Sequence, residues 1–306
     1  MLPDFCYSHA LVEFGFLRER VHESRSLAAL PVWGLLGAQG VPVGVVNWSV
    51  TQPAQEVRGY LVSDQFERRY ATVVDVENIG VISPRTATAA AVAAAGEARR
   101  AAPVPLPRAS DDAGQSVAHP CAADRVHEQI AAELDRRMPS RFQAVRYECL
   151  DAAGHYFLRY AVPRAFGDVS DAELQRYGGV LIAHYAAADQ MLGRVMAGLR
   201  PGDLLLVVSG FGMEPMSIGK RLLERAVGRA EPSGTHEPAP DGFLLAYGTD
   251  VRPGRWPRGS VVDIVPTILY FYGLPVGRDM DGFARTDIFA PAFSTGRPIT
   301  YIPSYE

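Results

Sequence analysis

Three short apolar runs lack the polar alternation of a half-exposed strand, and they constrain the fold of this chain more than any other feature. The runs are Val41–Trp48 (VPVGVVNW), Leu204–Val208 (LLLVV) and Phe243–Tyr247 (FLLAY). Continuous apolar runs of this length are typical of strands that are buried on both faces. Segments with helical patterns separate them along the chain. This alternation predicts an α/β fold with a mostly parallel sheet that is covered on both sides.

Helical spacing of apolar residues accounts for much of the remaining chain. Predicted helices cover Leu27–Gln39, Ala123–Met138, Asp171–Leu199 and Asp263–Tyr272. Gly40 and Gly273 follow two of these helices at the position where a left-handed cap is favoured. Asp263 or the turn before it caps the last helix. A partly alternating run, Phe142–Leu150, predicts one further strand.

The segment from about residue 85 to residue 122 differs in composition from the rest of the chain. It is rich in alanine at first and then in Pro, Ser, Asp and Gly. We interpret it as a helix followed by an exposed linker, inserted into a single domain that spans residues 1–306. The chain has 306 residues and 48% hydrophobic content. That is enough for one large core, or at most two domains.

The charge balance excludes a global attraction to nucleic acid. The net charge is -4 and the pI ≈ 6.0, so no nucleic-acid partner is expected. The sequence contains neither a P-loop nor a G-x-G-x-x-G motif, which leaves NTP-driven and NAD-dependent functions without support. It also contains no run of membrane-spanning length and no signal-peptide layout at its start. The cytoplasm is therefore the default expectation, while the compartment and the oligomeric state are left undetermined.

Two histidines and one aspartate lie close to predicted strands, near which ligands bind in open α/β sheets. Asp151 and His155 are four residues apart and share one face if a helix begins at Asp151. His236 follows Gly234 and Thr235, just before the third apolar run. Carboxylate and imidazole both ligate zinc, and three protein ligands with one open position are typical of a catalytic zinc site. Such spacings also occur by chance, so the residues alone leave open that these are ordinary polar side chains.

Five blocks of sequence resemble the type I phosphodiesterase/nucleotide pyrophosphatase branch of the alkaline phosphatase superfamily. In chain order they are residues 43–64 (VGVVNWSVTQPAQEVRGYLVSD), 151–157 (DAAGHYF), 184–215, 234–248 (GTHEPAPDGFLLAYG) and 261–282. The resemblance implies an alkaline-phosphatase-like α/β fold, hydrolysis of phosphoric esters and a small phosphorylated substrate. Because one fold hosts several chemistries, phosphonate, sulfate and phosphoglycerate reactions stay open.

The resemblance also implies two divalent metal ions, usually zinc. In the family, one ion is held by an Asp-x-x-x-His pair and by the His of a Gly-x-His turn, which Asp151, His155 and His236 match. The second ion is held by the Asp and His of a Ser-Asp-His-Gly turn, together with an Asp and a Thr or Ser nucleophile near the N-terminus. Here Gly210 and Phe211 stand at the Asp and His positions of that turn. Neither has a side chain that binds a metal, so we predict one ion, zinc in the first place, with other divalent metals left open.

The first strand-helix unit of the family pattern, which carries the ligand Asp and the nucleophile, is not found in this sequence. Asp4 and Ser8 are the only nearby candidates, and their surroundings do not resemble those of the family, so the nucleophile is not identified. We therefore predict a metal-dependent phosphoric-ester hydrolase with one intact metal site. The alternative is a catalytically degenerate homologue that binds a phosphorylated ligand or a protein partner without turnover.

Overall fold

The computed structural model describes residues 8–13, 16–67, 80–101, 112–217, 219–221, 233–237 and 239–305. They belong to two compact units. Unit 1 comprises residues 1–103 and 119–148 with the terminal residue 306, and unit 2 comprises residues 104–118 and 149–305. The expectation of one domain over residues 1–306 stays a prediction.

The described part of unit 1 contains six strands, four of which form the central sheet. The strands of the unit are β1 (Ser8–Glu13), β2 (Phe16–Val21), β3 (Val43–Trp48), β4 (Gly59–Ser63), β5 (Ile82–Ser83) and β6 (Phe142–Val145). Strands β1 and β2 form an antiparallel hairpin. The other four form a sheet in the order β5-β4-β3-β6, in which β3 pairs in parallel with both β4 and β6, and β5 pairs antiparallel with β4. The predicted α/β class with a mostly parallel central sheet is confirmed.

Both faces of β3 and β4 are buried, which explains why the first apolar run lacks polar alternation. The fully buried side chains on the two faces are Val43, Val45, Val46, Tyr60, Leu61 and Val62. The ring of Tyr60 lies in the space that a side chain at Gly44 would need. Its hydroxyl donates a hydrogen bond to the carbonyl of Ala131 at 3.2 Å and accepts one from the Gln143 amide at 2.9 Å. The glycine thus makes room for the ring of Tyr60, which extends from β4 over the neighbouring strand β3.

The helices that lie in or extend into unit 1 are α1 (Val32–Ala38), α2 (Thr88–Arg100) and α3 (Asp112–Arg137). Helix α1 is shorter than predicted, because Pro31 is its N-terminal cap and Leu27–Leu30 precede the helix. Gly40 has the predicted positive φ, at 80°.

Helix α2 lies where the sequence predicted a helix at the start of the alanine-rich segment, and the prediction that residues 85–122 form an insertion stays a prediction. Its buried residues are nearly all small: Thr88, Ala90, Ala91, Ala94, Ala95 and Ala98. The alanines share one apolar core with Val46 and Val62 of the sheet and with the predicted stripe of α3, which consists of Val126, Ile130 and Leu134. The short side chains fill part of the core instead of facing solvent.

Helix α3 begins at Asp112, eleven residues before the predicted start at Ala123, and contains Pro120 in its interior. The linker that we predicted between the two helices falls on residues 102–111, which lie outside the described residues.

The helices of unit 2 are α4 (Cys149–Ala161), α5 (Asp171–Tyr177), α6 (Val180–Gly198), α7 (Ile264–Phe271) and α8 (Pro291–Thr295). The predicted long helix over Asp171–Leu199 is wrong, because Gly178 and Gly179 separate α5 from α6. The turn before α7 is a 3-10 turn closed by a capping box between Ser260 and Asp263. No helix among the described residues combines the length and the apolar character that crossing a lipid bilayer requires.

The strands of unit 2 are β7 (Leu205–Phe211), β8 (Glu214–Pro215), β9 (Gly234–Thr235), β10 (Asp241–Tyr247), β11 (Val276–Gly277) and β12 (Tyr301–Ile302). Strands β7 and β10 pair antiparallel with one another, which corrects the prediction that their runs are buried strands of the parallel sheet. On β10, Phe243, Leu245 and Tyr247 are 54%, 55% and 53% exposed. An antiparallel pair can leave one face unburied, even where apolar side chains occupy both faces.

Candidate metal centre

Asp151, His155 and His236 converge in unit 2. Asp151 and His155 lie one turn apart on α4, and His236 directly follows β9. One ligand atom from each of the three residues lies within 4.8 Å of the others. The Nε2 atom of His236 is 2.8 Å from Oδ1 of Asp151, and the Nε2 atom of His155 is 3.7 Å from Oδ2. We call these three residues the metal triad.

Helix α4 places the first two members of the triad. It begins at Cys149, so Asp151 and His155 both lie within regular helix. Helical residues four apart are neighbours on one face. Asp151 also lies in the first turn, where the helix dipole stabilises a negative charge.

Ser233 fastens the segment that carries His236 to α4. This buried residue donates two hydrogen bonds to the carbonyl of His155, from its N–H at 2.5 Å and from its hydroxyl at 3.1 Å. Its hydroxyl also accepts a hydrogen bond from the N–H of Arg159 at 3.2 Å. The position of His236 relative to α4 is therefore set three residues before the histidine itself.

Two glycines allow this segment to approach the helix closely. A Cβ atom at Gly154 would lie 2.6 Å from the sulfur of Met213. A Cβ atom at Gly234 would lie 2.8 Å from the carbonyl oxygen of Gly154 and would also collide with Met213. Neither position has room for a side chain while Met213 stays between them.

Backbone carbonyls orient both imidazoles of the triad. The Nδ1 atom of His155 is 2.9 Å from the carbonyl oxygen of Gly234, and the Nδ1 atom of His236 is 2.7 Å from that of Gly212. Because a carbonyl only accepts, each Nδ1 carries the proton that it donates. Each Nε2 then faces the carboxylate of Asp151. Metal-binding histidines generally use one ring nitrogen for the ion and donate the other N–H to such an acceptor.

The triad is accessible from solvent. The side chains of His155, His236 and Asp151 are 28%, 35% and 40% exposed. A catalytic zinc site differs from a structural one in keeping a position open for water or substrate. The donor types, their orientation and their exposure therefore all fit a catalytic zinc ion.

Gly210 and Phe211 lie on β7 rather than in the turn that the sequence suggested. The ring centroid of Phe211 is 6.1 Å from that of His236, and Phe211 is 69% exposed. Nothing lies within 4 Å of a Cβ atom built at Gly210. Among the described residues, the possible ligand groups include neither position. Of the two nucleophile candidates, Ser8 begins β1, and Asp4 lies outside the described residues.

Sequence reasoning missed two arginines close to the triad. Arg159 lies one turn after His155 on α4, and its guanidinium is 3.3 Å from the carboxylate of Asp168. The guanidinium of Arg221 is 2.8 Å from the other oxygen of that carboxylate and holds the pKa of Asp168 below its ordinary value. Glu173 interacts electrostatically with both Arg159 and Asp168, so two cations and two anions form one cluster without net charge. The spacing of four residues between His155 and Arg159 was the available signal.

The comparison with protein families gives one match. The family model of type I phosphodiesterase / nucleotide pyrophosphatase matches residues 7–234. The match includes Asp151, His155, Gly210 and Phe211, and it ends two residues before His236. No curated protein and no solved structure matches the chain. Since the family match covers more than half of its length, the chain belongs to the type I phosphodiesterase/nucleotide pyrophosphatase family of phosphoric-ester hydrolases, within the alkaline phosphatase superfamily.

Proposed function

We propose that the chain hydrolyses phosphoric esters with one zinc ion held by Asp151, His155 and His236. The observation that carries this proposal is the convergence of two imidazole Nε2 atoms and one carboxylate. The Nδ1–H group of each imidazole donates a hydrogen bond to a backbone carbonyl, which leaves each Nε2 free to bind an ion. Family membership supports the class of reaction.

The ion and Asp151 have separate parts in this function. A bound zinc ion would act as a Lewis acid toward a phosphoryl oxygen and would activate a water molecule as a nucleophile. The carboxylate of Asp151 balances part of the charge of the cation.

Zinc content and ester hydrolysis test the proposal together. We expect native mass spectrometry of the dialysed chain to find about one zinc ion, the number that one set of three protein ligands with an open fourth position holds. His236→Ala should lose both the ion and the hydrolysis of bis(p-nitrophenyl) phosphate, and a chelator should have the same effect on the unmodified chain. His119→Ala is the matched control, because His119 is an exposed histidine of α3. Unchanged hydrolysis in His236→Ala would contradict the proposal.

The second candidate function is binding of a phosphorylated ligand without turnover. The observation in its favour is that Gly210 and Phe211 supply no ligand for a second ion. Thermal stabilisation by nucleotides, with no product formed over long incubation, would support it. Hydrolysis that disappears with a chelator would exclude it.

A further inference from the structure

A second concave site of unit 2 shares no residue with the metal triad. The pocket lies between the loop that follows β11 and strand β12, and has a volume of about 380 Å³. Small-molecule sites usually have volumes of roughly 300–1,000 Å³. Arg278, Phe283 and Tyr301 are the large polar and aromatic residues among those that line it. Its size therefore fits a small ligand.

Hydrogen bonds hold the walls of this pocket in place. The N–H of Phe283 donates to Oδ1 of Asp263 at 2.9 Å, and the N–H of Ser260 donates to Oδ2 at 2.8 Å. Asp263 itself is buried. On the opposite wall, β11 pairs in parallel with β12, and the N–H of Arg278 extends that ladder. The pocket is preformed, so a ligand would not have to order it.

Arg278 is the only charged residue among those that line the described pocket. Asp279 and Asp281 follow it closely in sequence, yet the described residues show no ion pair between Arg278 and either carboxylate. Instead, the guanidinium lies 5.3 Å from the ring centroid of Tyr301. A guanidinium over an aromatic face keeps its N–H donors at the edge of the stack, where they can bind an anion.

Two aromatic side chains of the pocket are unusually exposed. Phe283 is 75% exposed and Tyr301 is 50% exposed. Large apolar side chains that are clustered and exposed mark binding sites more often than isolated ones do. Because Arg278 covers one face of Tyr301, Phe283 offers the aromatic face on which a planar ring of a ligand can stack, while a phosphate binds the guanidinium. We propose that this pocket binds an aromatic phosphate of the nucleoside monophosphate class, with its base against Phe283 and its phosphate at Arg278.

Calorimetric titration with AMP tests this proposal independently of the metal triad. The titration uses the full chain carrying His236→Ala and, separately, the unmodified chain treated with a chelator, so that a bound zinc ion cannot account for binding. We expect one AMP per chain in both preparations. Adenosine, which lacks the anion, and inorganic phosphate, which lacks the ring, should each bind much more weakly.

Variants of the pocket then assign the binding. Arg278→Gln should weaken AMP binding roughly ten- to a hundred-fold, because hydrogen bonds to a charged group are lost. Phe283→Ala should weaken it roughly ten-fold through lost stacking. Arg297→Gln is the matched control, because Arg297 also lies over an aromatic ring, that of Phe293, but outside the pocket.

Three results would overturn the proposal: no AMP binding in either preparation, unchanged affinity in both pocket variants, or inorganic phosphate binding as tightly as AMP.

Discussion

The imidazole rings of His155 and His236 stand at 84° to one another, with centroids 4.9 Å apart, and both direct Nε2 toward the carboxylate of Asp151. Hydrogen bonds to backbone carbonyls set the orientation of both rings. A substitution at Asp151 therefore changes the charge of the triad without changing the orientation of either imidazole. That makes Asp151 the most informative position for testing zinc binding.

Asp151→Asn should lower the affinity for zinc at least ten-fold. The amide keeps the size of the side chain but removes the negative charge. Loss of a residue that only hydrogen-bonds to a metal ligand already lowers metal affinity by roughly 10–100-fold, so loss of a ligand charge should have at least the lower of these effects. Competition with a chromophoric chelator measures the change. Asp171→Asn is the control, because Asp171 occupies the first turn of α5 as Asp151 does that of α4, and it lies outside the triad. Equal zinc affinity in the two variants would contradict the assignment.

Gly154→Ala should weaken zinc binding and also destabilise the chain. The added methyl group would meet the sulfur of Met213 at 2.6 Å, so the Met213 side chain, which also fills the space beside Gly234 of β9, must move. Overpacking of this kind costs about 1–3 kcal/mol. Denaturant titration and zinc titration measure the two effects.

Two further variants control for helix propensity and for the contact with Met213. Gly193→Ala, on α6, meets nothing within 4 Å and should stabilise the chain by up to about 1 kcal/mol. Gly154→Ala combined with Met213→Ala should recover zinc affinity. If Gly154→Ala behaves like Gly193→Ala, the close packing described here does not position His236.

The pair of substitutions Gly210→Asp and Phe211→His should raise the zinc content of the saturated chain from one ion to two. The site can accept them, because a Cβ atom at Gly210 has open space around it and Phe211 already lies beside His236. Carboxylate and imidazole would restore the two ligand types that the family uses at these positions. Native mass spectrometry with Gly210→Asn and Phe211→Gln as the uncharged control tests this. One ion at saturating zinc would show that more is missing than these two ligands.

His127 should make the stability of the chain depend on pH between about 3 and 6.5. It is 2% exposed, and neither ring nitrogen has a hydrogen-bond partner among the described residues. Burial, with Arg146, His119 and Arg99 nearby, lowers its pKa from 6.5 to about 3. In that interval the unfolded chain binds a proton that the folded chain rejects. The contribution of neutral His127 to the free energy of unfolding is therefore fully present above pH 6.5. It decreases as the pH falls from 6.5 toward 3, by about 1.4 kcal/mol per pH unit for one proton.

Urea denaturation at pH 7 and pH 5 measures this dependence. His127→Leu should lose less stability on acidification than the unmodified chain, because the group that resists protonation is gone. His22→Gln removes a partly exposed histidine that is not among the groups that lower the pKa of His127, so it should leave the dependence unchanged. The idea fails if all three chains lose the same free energy of unfolding between the two pH values.

The parts of the fold that could be predicted from sequence are those that local spacing determines. The four-residue interval between Asp151 and His155 needs only a helix to bring them together, and α4 provides it. Gly40 and Gly273 end their helices with the positive φ that was expected. Burial of β3 on both faces followed from a run in which no position is polar before Asn47.

The parts that could not be predicted depend on the choice of partner. The runs in β7 and β10 suit a doubly covered parallel strand and an antiparallel pair equally well, because both carry apolar side chains on both faces. The alanines of α2 are compatible with a solvent-exposed helix as well as with a packed one. The hydrogen bonds of Ser233 join residues that are 74 and 78 positions apart, and no local pattern contains them.

The arrangement of Gly44 and Tyr60 has a consequence for how this family can vary. The ring occupies the volume that any side chain at position 44 would require, and its hydroxyl serves both Ala131 and Gln143. A larger residue at position 44 is therefore compatible only with a smaller one at position 60, and that exchange would remove both hydrogen bonds of the Tyr60 hydroxyl. Among homologues, residues 44 and 60 should therefore covary: a larger residue at position 44 should occur only together with a smaller residue at position 60.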